Sequence, residues 1–234
     1  MSHPWRIETE LQDMAGADSF DEACVRLGLV TSGAASEYRL VVDSDWHRSG
    51  AETYSFVFSL VREGVRSSFY LKACTALSFG SSVGTVLDEW VGRRKLVSDA
   101  GVSTPCLYGV AKACLLEEAV PYLLAEVLND SRGECRADLL RQLAHYSGVL
   151  SVNGFVSLDA FSDLRSRGED LVAIDFGEDL GPSRMTDRRR ATWLSDALDY
   201  CASAGVRLSD SDRRWMLAAF EQAESGGPNY RRNG

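Results

Sequence analysis

The chain has 234 residues, 45% of them hydrophobic and 25% charged, which is the composition of an ordinary globular protein and excludes collagen-like and disordered chains. No apolar run approaches the roughly 18 residues that a membrane-spanning helix needs. The formal net charge of −9 argues against a surface that follows the phosphate backbone of a nucleic acid. We therefore expect no membrane span and no nucleic acid partner.

The cysteines and histidines form no recognisable metal or disulfide framework. None of the six cysteines belongs to a C-x-x-C pair, and the three histidines have no metal-ligand spacing with them. This pattern favours free thiols in a reducing compartment, so we expect a cytoplasmic protein.

The first half of the chain predicts two short helices followed by an antiparallel meander. Asp18-Ser19 offers a helix cap within the first 35 residues. Short runs rich in aromatic and β-branched residues then predict strands over 37–42, 53–61 and 65–73, the last two joined by a tight turn at Glu63-Gly64. An apolar stripe at helical spacing predicts a helix over 86–101.

The second half predicts two more strands and then a mainly helical region. Strand-like runs cover 106–111 and 120–128, with Glu117-Glu118 in the turn between them. A helix follows over 136–150, then the segment GFVSLDAFSDL (154–164) and a buried strand, LVAIDFG (171–177). Helices over 186–205 and 209–224 end the fold, before a Gly- and Asn-rich tail.

Lys72 is a candidate site residue because lysine is rare in this chain. Only three of the 25 basic residues are lysine, and Lys72 ends the third apolar strand. A lysine that works in a site needs a carboxylate to fix its ammonium, and Glu89 in the following helix can supply one. Alternatively, Lys72 is a plain strand-end cation and Glu89 a solvated helix residue.

Asp175 is a second candidate because it ends an otherwise apolar run. A carboxylate in that position is costly to bury unless it is paired or bound to a metal. A divalent cation with oxygen ligands is therefore a possible partner.

These motifs give the sequence a resemblance to the protein kinase-like superfamily, specifically its small bacterial branch of aminoglycoside phosphotransferase-like and lipopolysaccharide kinase-like enzymes. The resemblance spans roughly residues 37–224, and only the D-F-G segment is specific on its own. The residues that carry it are FYLKA (69–73), DEWVGRRKLVSDAGVSTP (88–105), PYLLAEVL (121–128), NGFVSLD (153–159), LVAIDFG (171–177) and LSDSDRRWMLAAF (208–220).

The resemblance implies an α+β, two-lobed kinase-like fold. Its N-lobe would be an antiparallel sheet with one helix of the αC type, and its C-lobe would be small and mainly helical. The expected organisation is an N-terminal helical extension over 1–36, an N-lobe over 37–126, a C-lobe over 127–224 and a flexible tail over 225–234.

The resemblance also implies ATP or GTP, Mg²⁺ and a hydroxyl acceptor. Lys72 and Glu89 would set the nucleotide phosphates, and the hinge-like segment over 121–128 would contribute Glu126 and Leu128 to nucleotide binding. Asp159 would be the catalytic base. Asp163 and Asp175 would hold the metal.

Departures from the family pattern keep an alternative open. Ser157-Leu158 replace the His and its neighbour before the catalytic Asp, Asp163 stands near the usual Asn position, and Tyr70 replaces a small Ala. The turn after the first strand has only Gly50. The chain is thus either a phosphotransferase acting on a peptide or small natural product, or a catalytically degenerate pseudokinase that binds a peptide or scaffolds a partner enzyme.

The short part of the chain after Asp175 predicts that a partner protein contributes to the acceptor site. The part of the chain after Asp175 supplies only two helices and a tail, which is little material to build both a lobe core and an enclosing pocket of about 300–1,000 Å³. We therefore expect another chain to complete the acceptor site, with Trp193 and Trp215 as candidates for partial exposure there.

Overall fold

The computed structural model has an α+β fold, which confirms the predicted class. It describes residues 4–32, 35–43, 47–49, 53–74, 83–111, 113–156, 161, 164–174, 176, 181–182 and 193–226. The chain divides into two compact units, each made of two segments. Unit 1 comprises Met1–Glu89 and Pro105–Ala119, and unit 2 comprises Trp90–Thr104 and Val120–Gly234.

Unit 1 begins with two helices and continues as a sheet. Ser19 caps the second helix by accepting a hydrogen bond from the Glu22 N–H, as predicted from the sequence. Helix α3 runs from unit 1 into unit 2. The elements are α1 (Pro4–Ala15), α2 (Phe20–Arg26), β1 (Arg39–Val42), β2 (His47–Ser49), β3 (Thr53–Arg62), β4 (Val65–Cys74), α3 (Val83–Asp99), β5 (Leu107–Ala111) and β6 (Cys114–Glu118).

The sheet of unit 1 is antiparallel, with strand order β1-β3-β4-β6-β5, and β2 pairs with β3. Strands β3 and β4 are joined by the two-residue turn Glu63-Gly64, with φ angles of 51° and 81°. Positive φ at both positions is the geometry of a type I′ turn, whose twist matches the flanking strands. The predicted tight hairpin is therefore confirmed.

The two faces of this sheet differ in chemistry. Alternation along the strands sends Phe58, Leu71 and Leu116 to one face, where they form a core with Ile7 and Leu11 of helix α1. The opposite face carries three cross-strand pairs, Ser55 with Lys72, Ser59 with Ser68, and Tyr70 with Glu117. We call these six residues the polar face.

Unit 2 is mainly helical. Helix α7 opens on a capping box, in which Ser209 and Asp212 exchange hydrogen bonds between side chain and backbone. The elements that follow β6 are β7 (Tyr122–Leu123), α4 (Leu124–Asp130), α5 (Gly133–Val152), β8 (Phe155–Val156), β9 (Arg165–Arg167), β10 (Asp170–Val172), β11 (Gly181–Pro182), α6 (Trp193–Ser203) and α7 (Asp210–Glu224). Strands β10, β9 and β7 form one small sheet, and β11 pairs with β8.

The core of unit 2 is built around helix α5, which packs on helices α6 and α7. Leu139, Leu140 and Leu143 of this helix are fully buried. Helices α5 and α7 approach closely at Gly148, where a Cβ would stand 2.6 Å from the Cβ of Ala223. No helix in the described part of the chain is long and apolar enough to cross a membrane.

Three details of the predicted secondary structure are wrong. The strand expected over 171–177 ends at Val172, because its pairing with β9 covers only Asp170–Val172. The strand expected over 120–128 ends at Leu123, and helix α4 takes its place from Leu124, because a helix lets Leu124 and Leu128 pack together in the core of unit 2. Glu117 and Glu118 lie inside strand β6 and not in a turn, since β5 ends at Ala111 and β6 begins at Cys114. A short apolar run does not by itself distinguish a strand from a helix.

Candidate functional site

The polar face of unit 1 contains a buried ion pair between Lys72 and Glu117. The Lys72 Nζ lies 3.5 Å from the Glu117 Oε1, and the two side chains are only 13% and 5% exposed. Lys72 stands opposite Leu115 in the sheet register, so Glu117 is its diagonal neighbour on the same face. Two charges taken out of water carry a large desolvation cost, and a buried ion pair is therefore weak evidence of a stabilising role.

Tyr70 lies beside this pair. Its ring centroid is 5.4 Å from the Lys72 Nζ, within the range of a cation–π interaction. Tyr70 is also directly opposite Glu117 across strands β4 and β6. The ammonium of Lys72 is thus held near both an aromatic ring and a carboxylate.

Ser55 completes this end of the polar face. It is the cross-strand partner of Lys72 and is 0% exposed. Its Oγ has no hydrogen-bond partner among the described residues. A buried hydroxyl without a partner costs roughly 1–3 kcal/mol, so Ser55 calls for an explanation other than stability.

The other end of the polar face is a closed hydrogen-bond network. The Ser59 hydroxyl lies 2.8 Å from that of Ser68, accepts a hydrogen bond from the Arg66 Nε at 2.8 Å and donates one to Asp43. Arg66 also forms an ion pair with Asp43. Ser59 and Ser55 are both fully buried on the same strand, yet only Ser59 has described partners.

The remaining predicted nucleotide-binding residues lie on helices. Glu89 is on helix α3 at an exposed position, and its pairing with Lys72 in a nucleotide-bound state stays a prediction. Glu126 and Leu128 lie in helix α4 instead of the extended connection we expected. Leu128 is fully buried in the core of unit 2, whereas Glu126 is exposed.

Asp159, Asp163 and Asp175 fall outside the described residues, so their placement is not part of the structure presented. Phe176, which follows Asp175, is buried in the core of unit 2. Its carbonyl accepts a hydrogen bond from the Arg93 Nη1 of helix α3 at 3.4 Å.

Neither the described carboxylates nor the buried thiols suggest another reactive centre. In the described ranges, no group of three His, Cys, Asp or Glu side chains is arranged to hold a metal. Burial raises the pKa of Cys24 to about 12 and that of Cys201 also to about 12, so both thiols stay protonated and unreactive at neutral pH. His145 is buried, and its Nε2 lies 3.0 Å from the Ala100 carbonyl oxygen.

Glu117 is the residue of the candidate site that the sequence analysis missed. Two adjacent glutamates after an apolar run were interpreted as a turn. The signal that could have found it is the alternation in CLLEE (114–118), which places Leu115 and Glu117 on the face opposite Leu116 once the segment is recognised as a strand.

No protein-family model matches this sequence, and no curated protein matches it either. The kinase-like resemblance therefore rests on the motifs quoted above.

Proposed function

We propose that this chain is a phosphotransferase of the protein kinase-like type, which moves the γ-phosphoryl group of ATP or GTP to a hydroxyl of a peptide or small natural product. The observation that carries the proposal is the burial of Lys72 and Glu117 together on the sheet. A lysine held in a sheet by a carboxylate, and still 13% exposed, is suited to binding a phosphate.

The order of the elements supports the same proposal. Strands β1, β3 and β4 precede helix α3, strands β5 and β6 follow it, and the rest of the chain is mainly helical. This order agrees with the N-lobe and C-lobe that the kinase-like resemblance implies, and a two-lobed kinase-like fold is part of the proposal. We also place the protein in the cytoplasm, where nucleotides are abundant and its thiols would stay reduced.

In the proposed reaction, Lys72 binds the nucleotide phosphates and orients them. Asp159 accepts the proton of the acceptor hydroxyl, whose oxygen forms a bond to the γ-phosphorus while the bond from that phosphorus to the bridging oxygen breaks. Asp163 and Asp175 are hard oxygen donors that suit Mg²⁺, which would neutralise charge on the phosphate oxygens when bound. Positioning and charge neutralisation supply most of the rate in such reactions.

The proposal includes a partner protein that completes the acceptor site. Trp193 is buried in the core of unit 2, so of the two tryptophans considered only Trp215 is available, at 40% exposure. The guanidinium of Arg141 lies 4.9 Å from its ring centroid. An exposed aromatic ring beside an arginine is a combination enriched at protein interfaces.

A second candidate function is a pseudokinase that binds a peptide or scaffolds a partner enzyme. The observation that favours it is that Lys72 is already neutralised by Glu117, with the bulky Tyr70 beside it. In such a protein the ion pair would be a fixed part of the sheet and would not exchange with a nucleotide.

A binding measurement with Mg-ATP and Mg-GTP distinguishes the two candidate functions. For a competent site, nucleotide at 100 to 1,000 times the dissociation constant should raise the free energy of unfolding by about 2.7–4.1 kcal/mol. Lys72→Met should remove this effect and the transfer of radiolabelled phosphate to a hydroxyl acceptor. Lys95→Met is the matched control, because Lys95 is 72% exposed and pairs with Asp99 one turn away on helix α3. The absence of stabilisation by either nucleotide in the native protein would support the scaffold.

A further inference from the structure

Ser55 and Lys72 are neighbouring polar residues of the sheet, and one of them, Ser55, lacks a described hydrogen-bond partner. They are direct partners across strands β3 and β4, on the same face of the sheet. Lys72 forms an ion pair with Glu117, while the fully buried Ser55 hydroxyl has no partner among the described residues.

We infer that Ser55 is a positioning residue for Lys72, and that its hydroxyl accepts a hydrogen bond from the Lys72 ammonium when that ammonium leaves Glu117 to bind a nucleotide phosphate. This inference rests on the proposed function, and it adds a residue that the kinase-like motifs do not include.

The chemistry of the two side chains fits this exchange. An ammonium has three donors and no acceptor, whereas a serine hydroxyl offers two acceptor lone pairs. Directly opposed residues have Cβ atoms about 4.5–5.5 Å apart, so the long Lys72 side chain can reach Ser55 without a change in the backbone. In the exchanged position, Ser55 fixes one of the three donors and leaves the others for phosphate oxygens.

The same exchange explains why Glu117 is present on this face. A phosphate that binds Lys72 carries the same charge sign as the Glu117 carboxylate, so the two anions compete for one ammonium. The carboxylate keeps Lys72 paired in the absence of nucleotide, and Ser55 holds it in the presence of nucleotide. Lys72 therefore has a partner both with and without bound nucleotide.

The polar face also supplies a matched control. Ser59 is fully buried on the same strand and faces the same way as Ser55, but its hydroxyl is bonded to Ser68, Arg66 and Asp43. Ser55→Ala should leave the melting temperature of the unliganded protein unchanged or raise it, because it removes an unpaired buried hydroxyl. Ser59→Ala should lower the melting temperature, because Ser68, Arg66 and Asp43 each lose their hydrogen bond to the Ser59 hydroxyl.

Nucleotide binding should show the reverse pattern. Calorimetry with Mg-ATP should give a dissociation constant about tenfold higher for Ser55→Ala, since a hydrogen bond to a charged group is lost. Ser59→Ala should bind like the native protein, and Ser55→Thr, which keeps a hydroxyl, should restore affinity. Glu117→Gln should bind more tightly because the competing carboxylate is gone.

Lysine-selective isotope labelling provides a direct readout, because the chain has only three lysines and the spectrum contains few signals. Mg-ATP should shift the side-chain signal of Lys72 in the native protein, and Ser55→Ala should alter the position of that shifted signal while Ser59→Ala does not. If the native protein binds Mg-ATP and Ser55→Ala matches it in both affinity and signal, the inference is overturned and the proposed function stands. If the native protein binds no Mg-ATP and the Lys72 signal does not move, both fail.

Discussion

Helix α5 of unit 2 and the polar face of unit 1 bury polar side chains in different ways. Along helix α5, each buried polar residue has a partner nearby. Ser147 donates to the Leu143 carbonyl at 2.9 Å, Ser151 donates to Glu224 at 2.6 Å, and Asp138 pairs with Arg141 at 2.8 Å. On the polar face, by contrast, Lys72 and Glu117 are 3.5 Å apart and the Ser55 hydroxyl has no described partner.

This difference separates polar groups that hold the fold from the polar groups for which we propose a site. A buried hydroxyl bonded to a backbone carbonyl one turn away is a local structural feature and contributes about 1 kcal/mol. A buried ion pair is often no more stable than apolar residues of the same volume. The Lys72 and Glu117 pair therefore contributes little net stability for the two charges that it buries, which fits the binding role proposed for Lys72.

The largest effect should come from Asp175. Asp175→Ala should lower phosphoryl transfer by on the order of 100-fold or more, because it removes a charge that neutralises the transferring group. The free energy of unfolding should change little, since the substitution removes a carboxylate that follows the apolar run 171–174 in the sequence and leaves no new unpaired charge. Asp170→Asn, at an exposed position of strand β10, is the control and should keep full activity. Native activity in Asp175→Ala would refute the proposed metal-binding role.

The next effect concerns the Lys72 and Glu117 pair. Glu117→Ala should lower the free energy of unfolding by on the order of 3 kcal/mol, because it leaves the Lys72 charge without its carboxylate. The double variant Lys72→Met/Glu117→Leu should be as stable as the native protein or more so, because both charges are gone. Urea unfolding of Lys72→Met, Glu117→Leu and the double variant measures this coupling, because the same two substitutions are compared singly and together.

If the double variant is as unstable as Glu117→Ala, the ion pair is a structural element of unit 1. The contrast with helix α5 would then be wrong.

These two predictions differ in how far the sequence alone could have led to them. Lysine rarity identified Lys72, and an apolar run identified Asp175, because both signals lie in consecutive residues. The alternation in 114–118 could have placed Glu117 on the face of Leu115, but its pairing with Lys72 depends on which strand lies beside β4 and is not visible in consecutive residues. The period of the strands predicts that Ser55 and Phe56 point to opposite faces, but not that both faces are buried.

The elements that the sequence predicts correctly are those with a long periodic pattern of apolar residues. The twenty-residue helix α5 and the hairpin of strands β3 and β4 were predicted because many residues agree on one period. Helix α4 has only seven residues, and its apolar spacing fits a strand as well as a helix. Tertiary packing of Leu124 and Leu128 in the core decides between them, and that packing is not visible in the sequence.

A smaller effect should follow from filling the close approach of helices α5 and α7. A Cβ at Gly148 would lie 2.6 Å from the Ala223 Cβ and 2.8 Å from the Phe220 carbonyl oxygen. Gly148→Ala should therefore lower the free energy of unfolding by about 1–3 kcal/mol through overpacking. Gly92→Ala on helix α3 is the matched control, because a Cβ there meets no described atom within 4 Å, and it should raise stability by about 0.5–1 kcal/mol.

Nucleotide affinity should be unchanged in both glycine variants, in contrast to Ser55→Ala. A loss of affinity in Gly148→Ala without a loss of stability would contradict a purely structural role for the packing of α5 on α7.

The smallest effect concerns the turn between strands β3 and β4, which lies in the same sheet as the polar face. Glu63 adopts a φ of 51°, a conformation that disfavours residues other than Gly, Asn and Asp, and Gly64 follows with a φ of 81°. Asn-Gly is the preferred pair for this type I′ turn, so Glu63→Asn should raise the free energy of unfolding by about 0.5–1 kcal/mol. Glu63→Ala keeps the strain of a Cβ at positive φ and should give no such gain. Neither change touches Lys72 or Ser55, so the nucleotide affinity of both variants should equal that of the native protein. A gain in the free energy of unfolding that is confined to Glu63→Asn would show that unit 1 can be stabilised without altering its polar face. Equal stability of the two variants in urea unfolding would mean that the turn is not strained at Glu63.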